Sequence, residues 1–128
     1  MPKFARYSPE DGAMHQLDAE MQHCVDLCEA CAKTCFTTAM NHCLEVGGKH
    51  VEPQHFKLMI ACAEICRASA VVMTTGIEQH VFVCSACEKI CTACADSCEA
   101  IGDMQECVDA CRQCAKSCRT MSHEKRAA

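Results

Sequence analysis

The feature that most constrains this chain is a run of five cysteines between residues 84 and 98, spaced alternately three and four residues apart. An α-helix turns through about 100° per residue, so this alternation places all five side chains in one narrow stripe along the helix. Leucine and isoleucine normally occupy that stripe in a helical bundle. The spacing therefore predicts a helix whose buried face carries thiols at Cys84, Cys87, Cys91, Cys94 and Cys98.

Three other segments of the chain repeat the same spacing of three and four. Two of them carry four cysteines each, whereas the second segment along the chain carries two, together with histidine, methionine and serine. The stripes read Met14, Leu17, Met21, Cys24, Cys28, Cys31 and Cys35; His55, Met59, Cys62, Cys66, Ser69 and Met73; and Met104, Cys107, Cys111, Cys114, Cys118 and Met121.

Helix start and stop signals divide these stripes into four segments. Ser8 and Pro9 resemble a helix start, Pro53 marks another, and glycines at 47, 48, 76 and 102 mark stops. Asp103 is predicted to cap the last helix. The predicted helices span residues 9–46, 53–75, 77–101 and 103–121, with connections so short that consecutive helices must be antiparallel.

The predicted fold is therefore all-α, an antiparallel up-down-up-down four-helix bundle with a cysteine-lined core. Residues 1–128 form one domain, with room for a short extra helical segment at the N-terminus. β-Branched residues are few and do not alternate over a useful length, so no strand is predicted.

Composition explains what fills such a core and excludes several classes of function. The chain has 16 cysteines and 8 methionines but no tryptophan and only four phenylalanines, so sulfur residues must supply much of the packing. Its net charge of −5 is interspersed, which argues against a nucleic-acid partner. No apolar run is long enough to span a membrane, and the N-terminus lacks a secretory pattern. We expect a cytoplasmic protein.

We weigh three explanations for a cysteine content this high: a disulfide scaffold, a redox protein and a metal site. A disulfide scaffold is disfavoured by the expected reducing compartment and by the helical spacing. A redox protein using pairs such as Cys84 and Cys87 is disfavoured because redox CxxC motifs follow a strand. A metal site is favoured, and continuous stripes do not divide naturally into the separate Cys₄ sites typical of zinc or the loops typical of iron–sulfur clusters. Many Cu(I) ions would use every cysteine; zinc binding or buffering remains the alternative.

Several residues outside the stripe centres receive separate predictions. Cys43 lies about 100° round the helix from His42, on the flank of the first stripe. His50 is expected to be a loop residue, and His15 and His123 to be solvated. The second helix carries an additional apolar face, which predicts an oligomer interface on its outer side; its members are Leu58, Ile60, Ile65, Val71 and Val72.

The CxxxCxxCxxxC pattern at residues 24–35 and 107–118, with the five cysteines of 84–98 between them, resembles the cytosolic bacterial copper storage proteins. The resemblance implies a homotetramer of four-helix bundles that stores many Cu(I) ions per chain without catalysis, exchanging copper with a chaperone or chelator. It implies thiolate ligands from Cys24, Cys28, Cys31, Cys35, Cys43, Cys62, Cys66, Cys84, Cys87, Cys91, Cys94, Cys98, Cys107, Cys111, Cys114 and Cys118.

In that family, Met and His residues cluster at the end of the bundle where copper enters. The predicted topology gives two candidates, which we call the Cys43 end and the His80 end. We favour the Cys43 end, because Cys43 extends the thiols towards it. The Cys43 end carries Met40, His42, His55, Met59 and Met104, and the His80 end carries Met21, His23, Met73, His80 and Met121.

Overall fold

The computed structural model describes residues 17–124, which contain helices and no strand. Helix α1 continues through a π-helical turn and a last α-helical turn, and a short 3₁₀ segment precedes α2. The bounds are α1 Ala19–Thr38, π-helical turn Ala39–Cys43, last turn Leu44–Val46, 3₁₀ segment Gly48–Val51, α2 Pro53–Thr75, α3 His80–Ile101 and α4 Gln105–Ser122.

The four long helices form one closed ring of neighbours. Helix α1 packs against α2 and α4, and α3 also packs against α2 and α4. Connections of a few residues reverse the chain direction each time, so neighbouring helices are antiparallel. The predicted up-down-up-down bundle is confirmed, and within residues 17–124 the predicted stripes of all four helices face its common axis, where their cysteines are buried. Met14 of the first stripe lies outside the described residues.

The first helix begins later than predicted within the part of the chain that the structure describes. Leu17 and Asp18 are not helical, and α1 starts at Ala19 because an Asp18 carboxylate oxygen accepts a hydrogen bond of 2.8 Å from the Met21 backbone N–H. The predicted start at residues 8 and 9, and any extra N-terminal segment, lie outside the described residues. Gly47, at φ 72°, follows the last helical residue, Val46.

Two other predicted starts are wrong by two or three residues. Helix α3 begins at His80 rather than at residue 77, because left-handed Gly76 ends α2 and residues 77–79 form a turn. Helix α4 begins at Gln105, and Asp103 does not cap it: Asp103 has a φ of 66°, a left-handed conformation that aspartate tolerates. Helix α4 also extends one residue further than predicted, to Ser122.

No helix in residues 17–124 combines the length and the apolar character needed to cross a membrane.

Candidate metal-binding core

All 16 cysteines are buried as free thiols, with no exposed side-chain surface. Each long helix contributes through its stripe: four cysteines come from α1, two from α2, five from α3 and four from α4. The remaining one, Cys43, comes from the π-helical turn. Burial of this many thiols along one axis makes the centre of the bundle a continuous sulfur-rich interior.

The sulfur atoms form an unbroken chain of contacts through the core. Each contact joins two Sγ atoms 3.3 to 3.8 Å apart, and most contacts cross between helices. Cysteines 31 and 87 branch from this chain at 3.7 to 3.8 Å. The chain runs Cys24–Cys118 (3.8 Å), Cys118–Cys28 (3.6 Å), Cys28–Cys114 (3.6 Å), Cys114–Cys66 (3.7 Å), Cys66–Cys91 (3.4 Å), Cys91–Cys62 (3.6 Å), Cys62–Cys111 (3.7 Å), Cys111–Cys35 (3.5 Å), Cys35–Cys107 (3.3 Å) and Cys107–Cys98 (3.8 Å).

The same atoms also form four-thiol groups whose sulfurs all lie within 4.8 Å of one another. Cys31 and Cys66 each belong to two of these groups, one of which contains both, so the sites overlap. Three groups nevertheless share no member, which corrects the expectation that the stripes do not divide into separate Cys₄ sites. The three are Cys28, Cys87, Cys114 and Cys118; Cys31, Cys62, Cys66 and Cys91; and Cys35, Cys94, Cys107 and Cys111.

The buried thiols share protons rather than titrating independently. Hydrogen bonding with the Cys111 thiol lowers the pKa of Cys107 to about 5, while the same kind of contact raises the pKa of Cys111. Cys118 similarly lowers the pKa of Cys114 to about 7. Burying sixteen bare thiolates together would be prohibitive, so most thiols stay protonated in the metal-free core. Metal binding must therefore release protons.

A second group of soft donors, which we call the Cys43 group, lies at the Cys43 end. The Cys43 thiol is 3.5 Å from Met59 Sδ, 3.6 Å from Met104 Sδ and 4.0 Å from His50 Nδ1. All four side chains are buried, and burial raises the pKa of the Cys43 thiol. One thiol, two thioethers and one imidazole form a donor set typical of Cu(I).

The positions of two residues of this group differ from those predicted from the sequence. The π-helical turn of residues 39–43 widens the helix, so Cys43 returns to the buried face instead of lying on its flank. His50 was expected in a loop, but it lies in the 3₁₀ segment that begins at Gly48, and only 5% of it is exposed.

The predicted ligands Met40 and His42 lie outside this buried group. Met40 is half-buried against the core, and the His42 side chain is 35% exposed. His42 Nε2 lies 3.5 Å from a carboxylate oxygen of Asp103, and its ring meets the His50 ring edge-on, with centroids 5.1 Å apart. His42 and His50 thus connect the partly exposed surface with Cys43.

His55 lies deeper at the same end, on the first turn of α2. Its Nδ1 is 2.8 Å from Ser97 Oγ of α3, and its buried Nε2 has no hydrogen-bond partner. Burial lowers the pKa of His55, while the nearby thiols of Cys94 and Cys107 act in the opposite direction. His55 is therefore near His50 of the Cys43 group and near Cys107 of the sulfur chain.

The His80 end has a comparable composition but a different arrangement. Its Met21, Met73 and Met121 are buried, and His80 is fully buried. His80 Nδ1 donates to the Ile77 carbonyl oxygen at 2.8 Å, and its Nε2 lies 3.2 Å from a Glu124 carboxylate oxygen. The Nδ1 nitrogen is thus engaged, whereas Nε2, although near this carboxylate, makes no hydrogen bond. His23, which the sequence also assigned to this end, is exposed.

The wall contributed by α2 is poorer in sulfur. Ser69 occupies the stripe position that follows Cys66, and its hydroxyl donates to the Ile65 carbonyl oxygen at 2.8 Å. Ser69 is fully buried and satisfied within its own helix. The thiols therefore line three walls of the bundle more densely than the fourth.

The solved structures that match this chain include two that share its fold. The protein Nmul_A1745 from Nitrosospira multiformis is 52% identical, with a TM-score of 0.81, covering 83% of this chain and 97% of the other. The Cu(I)-bound copper storage protein BsCsp3 is 31% identical, with a TM-score of 0.73, covering 80% of this chain and 98% of the other. No curated protein matches the chain in sequence. The family model described as copper storage protein matches residues 15–123, so the chain belongs to the copper storage protein family.

Proposed function

We propose that this protein stores multiple Cu(I) ions on the cysteine thiolates of its core. The observation that carries the proposal is the chain of sulfur contacts from Cys24 to Cys98, every step of which is 3.8 Å or shorter. Cu(I) accepts thiolate ligands at low coordination numbers, so adjacent sulfurs can hold one ion and share a ligand with the next. The similar structure of BsCsp3 is that of a Cu(I)-bound copper storage protein, which supports the same cargo here.

An anaerobic titration of the reduced protein with Cu(I) tests this function. We expect tight binding of roughly one ion for every one to two of the 16 cysteines. A parallel titration with Zn(II) is the matched control, because zinc needs four ligands and the core offers three separate four-thiol groups. Saturation by Cu(I) at about four or fewer ions per chain, or tighter retention of Zn(II), would favour the zinc alternative instead.

We also propose that Cu(I) enters at the Cys43 end. Two observations favour this end: the soft donors around Cys43 are in contact, and the partly exposed His42 lies against His50 of the same group. At the His80 end, by contrast, His80 Nδ1 donates to the Ile77 carbonyl oxygen and Nε2 lies 3.2 Å from a carboxylate oxygen of Glu124. Met40, His42, His55, Met59 and Met104 are the proposed entry ligands, and His50 joins them.

The role we propose is storage and exchange of copper, without catalytic turnover. We place it in the cytoplasm, where reducing conditions keep thiols available for metal. Copper arrives and leaves by ligand exchange with a chaperone or a small chelator, because free Cu(I) is held poorly by water compared with sulfur. Cell fractionation after copper exposure tests the location: copper bound to this protein in an extracellular fraction would contradict it.

A homotetramer is the proposed assembly, with the outer face of α2 as an interface. Val71 is 61% exposed, and Leu58, Ile60, Ile65 and Val72 on the same helix are only half-buried. Sedimentation equilibrium is expected to give four times the chain mass of 14.0 kDa, and Val71→Lys is expected to weaken association. A monomer at micromolar concentration would exclude this assembly.

A further inference from the structure

The contact between Ser97 and His55 joins α3 to α2 beside the sulfur chain. Ser97 lies between Cys94 and Cys98 in sequence but off their stripe, and its hydroxyl oxygen is 2.8 Å from His55 Nδ1. His55 itself is only 2% exposed, and the Glu52 carboxylate fixes its backbone N–H at 2.9 Å. Both the main chain and one ring nitrogen of His55 are therefore held.

The second ring nitrogen of His55, Nε2, indicates which tautomer of the imidazole is present. In a neutral imidazole, one nitrogen carries a proton and the other carries a lone pair. Nε2 is buried without a hydrogen-bond partner. A proton on Nε2 would leave a buried donor unsatisfied, which native structures rarely allow, whereas a lone pair there is tolerated more readily. The arrangement favours a proton on Nδ1, donated to Ser97 Oγ.

We propose that Ser97 is a positioning residue for copper uptake: it holds His55 as the Nδ1–H tautomer, so that the Nε2 lone pair is available to Cu(I) between the Cys43 group and the sulfur chain. Histidines that bind metal commonly donate their second N–H to a neighbouring group, which fixes the ring and its tautomer. Ser97 is half-exposed, so water can accept the proton of its own hydroxyl. The inference rests on the proposed copper storage function.

The first test needs no copper. Long-range ¹H–¹⁵N NMR of the reduced, metal-free protein reports the tautomer of each histidine. We expect His55 to carry its proton on Nδ1 in the native chain, a mixture of tautomers in Ser97→Ala, and recovery in Ser97→Thr, which keeps the hydroxyl. A proton on Nε2 in the native protein would overturn the proposal, as would an unchanged tautomer in Ser97→Ala.

The second test measures transfer of Cu(I) from a coloured Cu(I) chelator under anaerobic conditions. We expect Ser97→Ala to slow uptake about tenfold without changing the final stoichiometry, and Ser97→Thr to restore the rate. Ser85→Ala is the matched control: Ser85 is also on α3 and half-buried, contacts Lys89, and lies roughly 18 Å away along the helix. An unchanged rate in Ser97→Ala overturns the positioning role. Low copper capacity in the native chain would instead contradict the storage function, and the tautomer result would stand.

Discussion

Loading the reduced protein with Cu(I) is expected to raise its thermal unfolding midpoint by at least about 20 °C. A ligand present at a thousandfold excess over its Kd stabilises the folded state by about 4 kcal/mol per site. Two such sites give about 8 kcal/mol, and for a domain of this size each kcal/mol raises the midpoint by roughly 3 °C. Differential scanning calorimetry under anaerobic conditions measures the shift.

The stabilisation is also expected to depend on pH in a defined direction. Burial raises the pKa of the Cys43 thiol, and hydrogen bonding raises that of Cys111, so protons compete with Cu(I) for these sulfurs. Lowering the pH therefore weakens copper binding and decreases the midpoint shift, while loading releases protons into a weakly buffered solution. Equal stabilisation by Zn(II), or no shift with Cu(I), would contradict the proposed cargo.

Removing the two thioethers beside Cys43 is expected to slow copper uptake by about tenfold or more. In Met59→Leu/Met104→Leu, volume is nearly conserved, so the fold is kept while two soft donors are lost. A loss of about 1.4 kcal/mol from the entry step corresponds to a tenfold decrease in rate. Stopped-flow transfer of Cu(I) from a coloured chelator measures the rate.

The opposite end of the bundle supplies a matched control for that variant. Met73→Leu/Met121→Leu removes the same number of equally buried thioethers at the His80 end. We expect its uptake rate to equal that of the native protein. A greater effect of the control variant than of Met59→Leu/Met104→Leu would show that copper enters at the His80 end.

The four helices and their buried cysteines could be predicted from the sequence, because both follow from the regular spacing of the α-helix. Spacing of three and four residues is a property of the α-helix, and the cysteines that follow it are all buried in the structure. Glycines and a proline mark the breaks, so topology followed from short connections. No knowledge of long-range contacts was needed to predict a bundle with sulfur on its axis.

The residues whose positions were predicted incorrectly lie in segments where the backbone is not α-helical. Cys43 follows Cys35 and Ala39 at steps of four, a spacing that stays on one face only because residues 39–43 form a π-helical turn. His50 is buried by left-handed glycines and a 3₁₀ segment. Asp103 adopts φ 66° beside His42 instead of capping α4. Helical periodicity contains no information about such local departures.

The grouping of the core cysteines into metal sites could not be predicted from the sequence. Stripes identify which sulfurs face inward, but the distances between helices decide which sulfurs meet. Cys35 thus contacts Cys107 at 3.3 Å across α1 and α4, whereas Cys31 and Cys35 on the same helix are 3.8 Å apart. Side-chain positions were needed to show that three separate four-thiol groups coexist with one continuous chain.

The proposed entry of copper at the Cys43 end has a consequence for the order in which ions leave. If copper leaves by the same end through which it enters, the core acts as a channel with one opening. In a channel with one opening, the ions that bind first occupy the innermost sites and are the last to reach the opening. An isotopic copper label loaded first would then be released last, whereas rapid exchange between neighbouring sulfurs would release it at random.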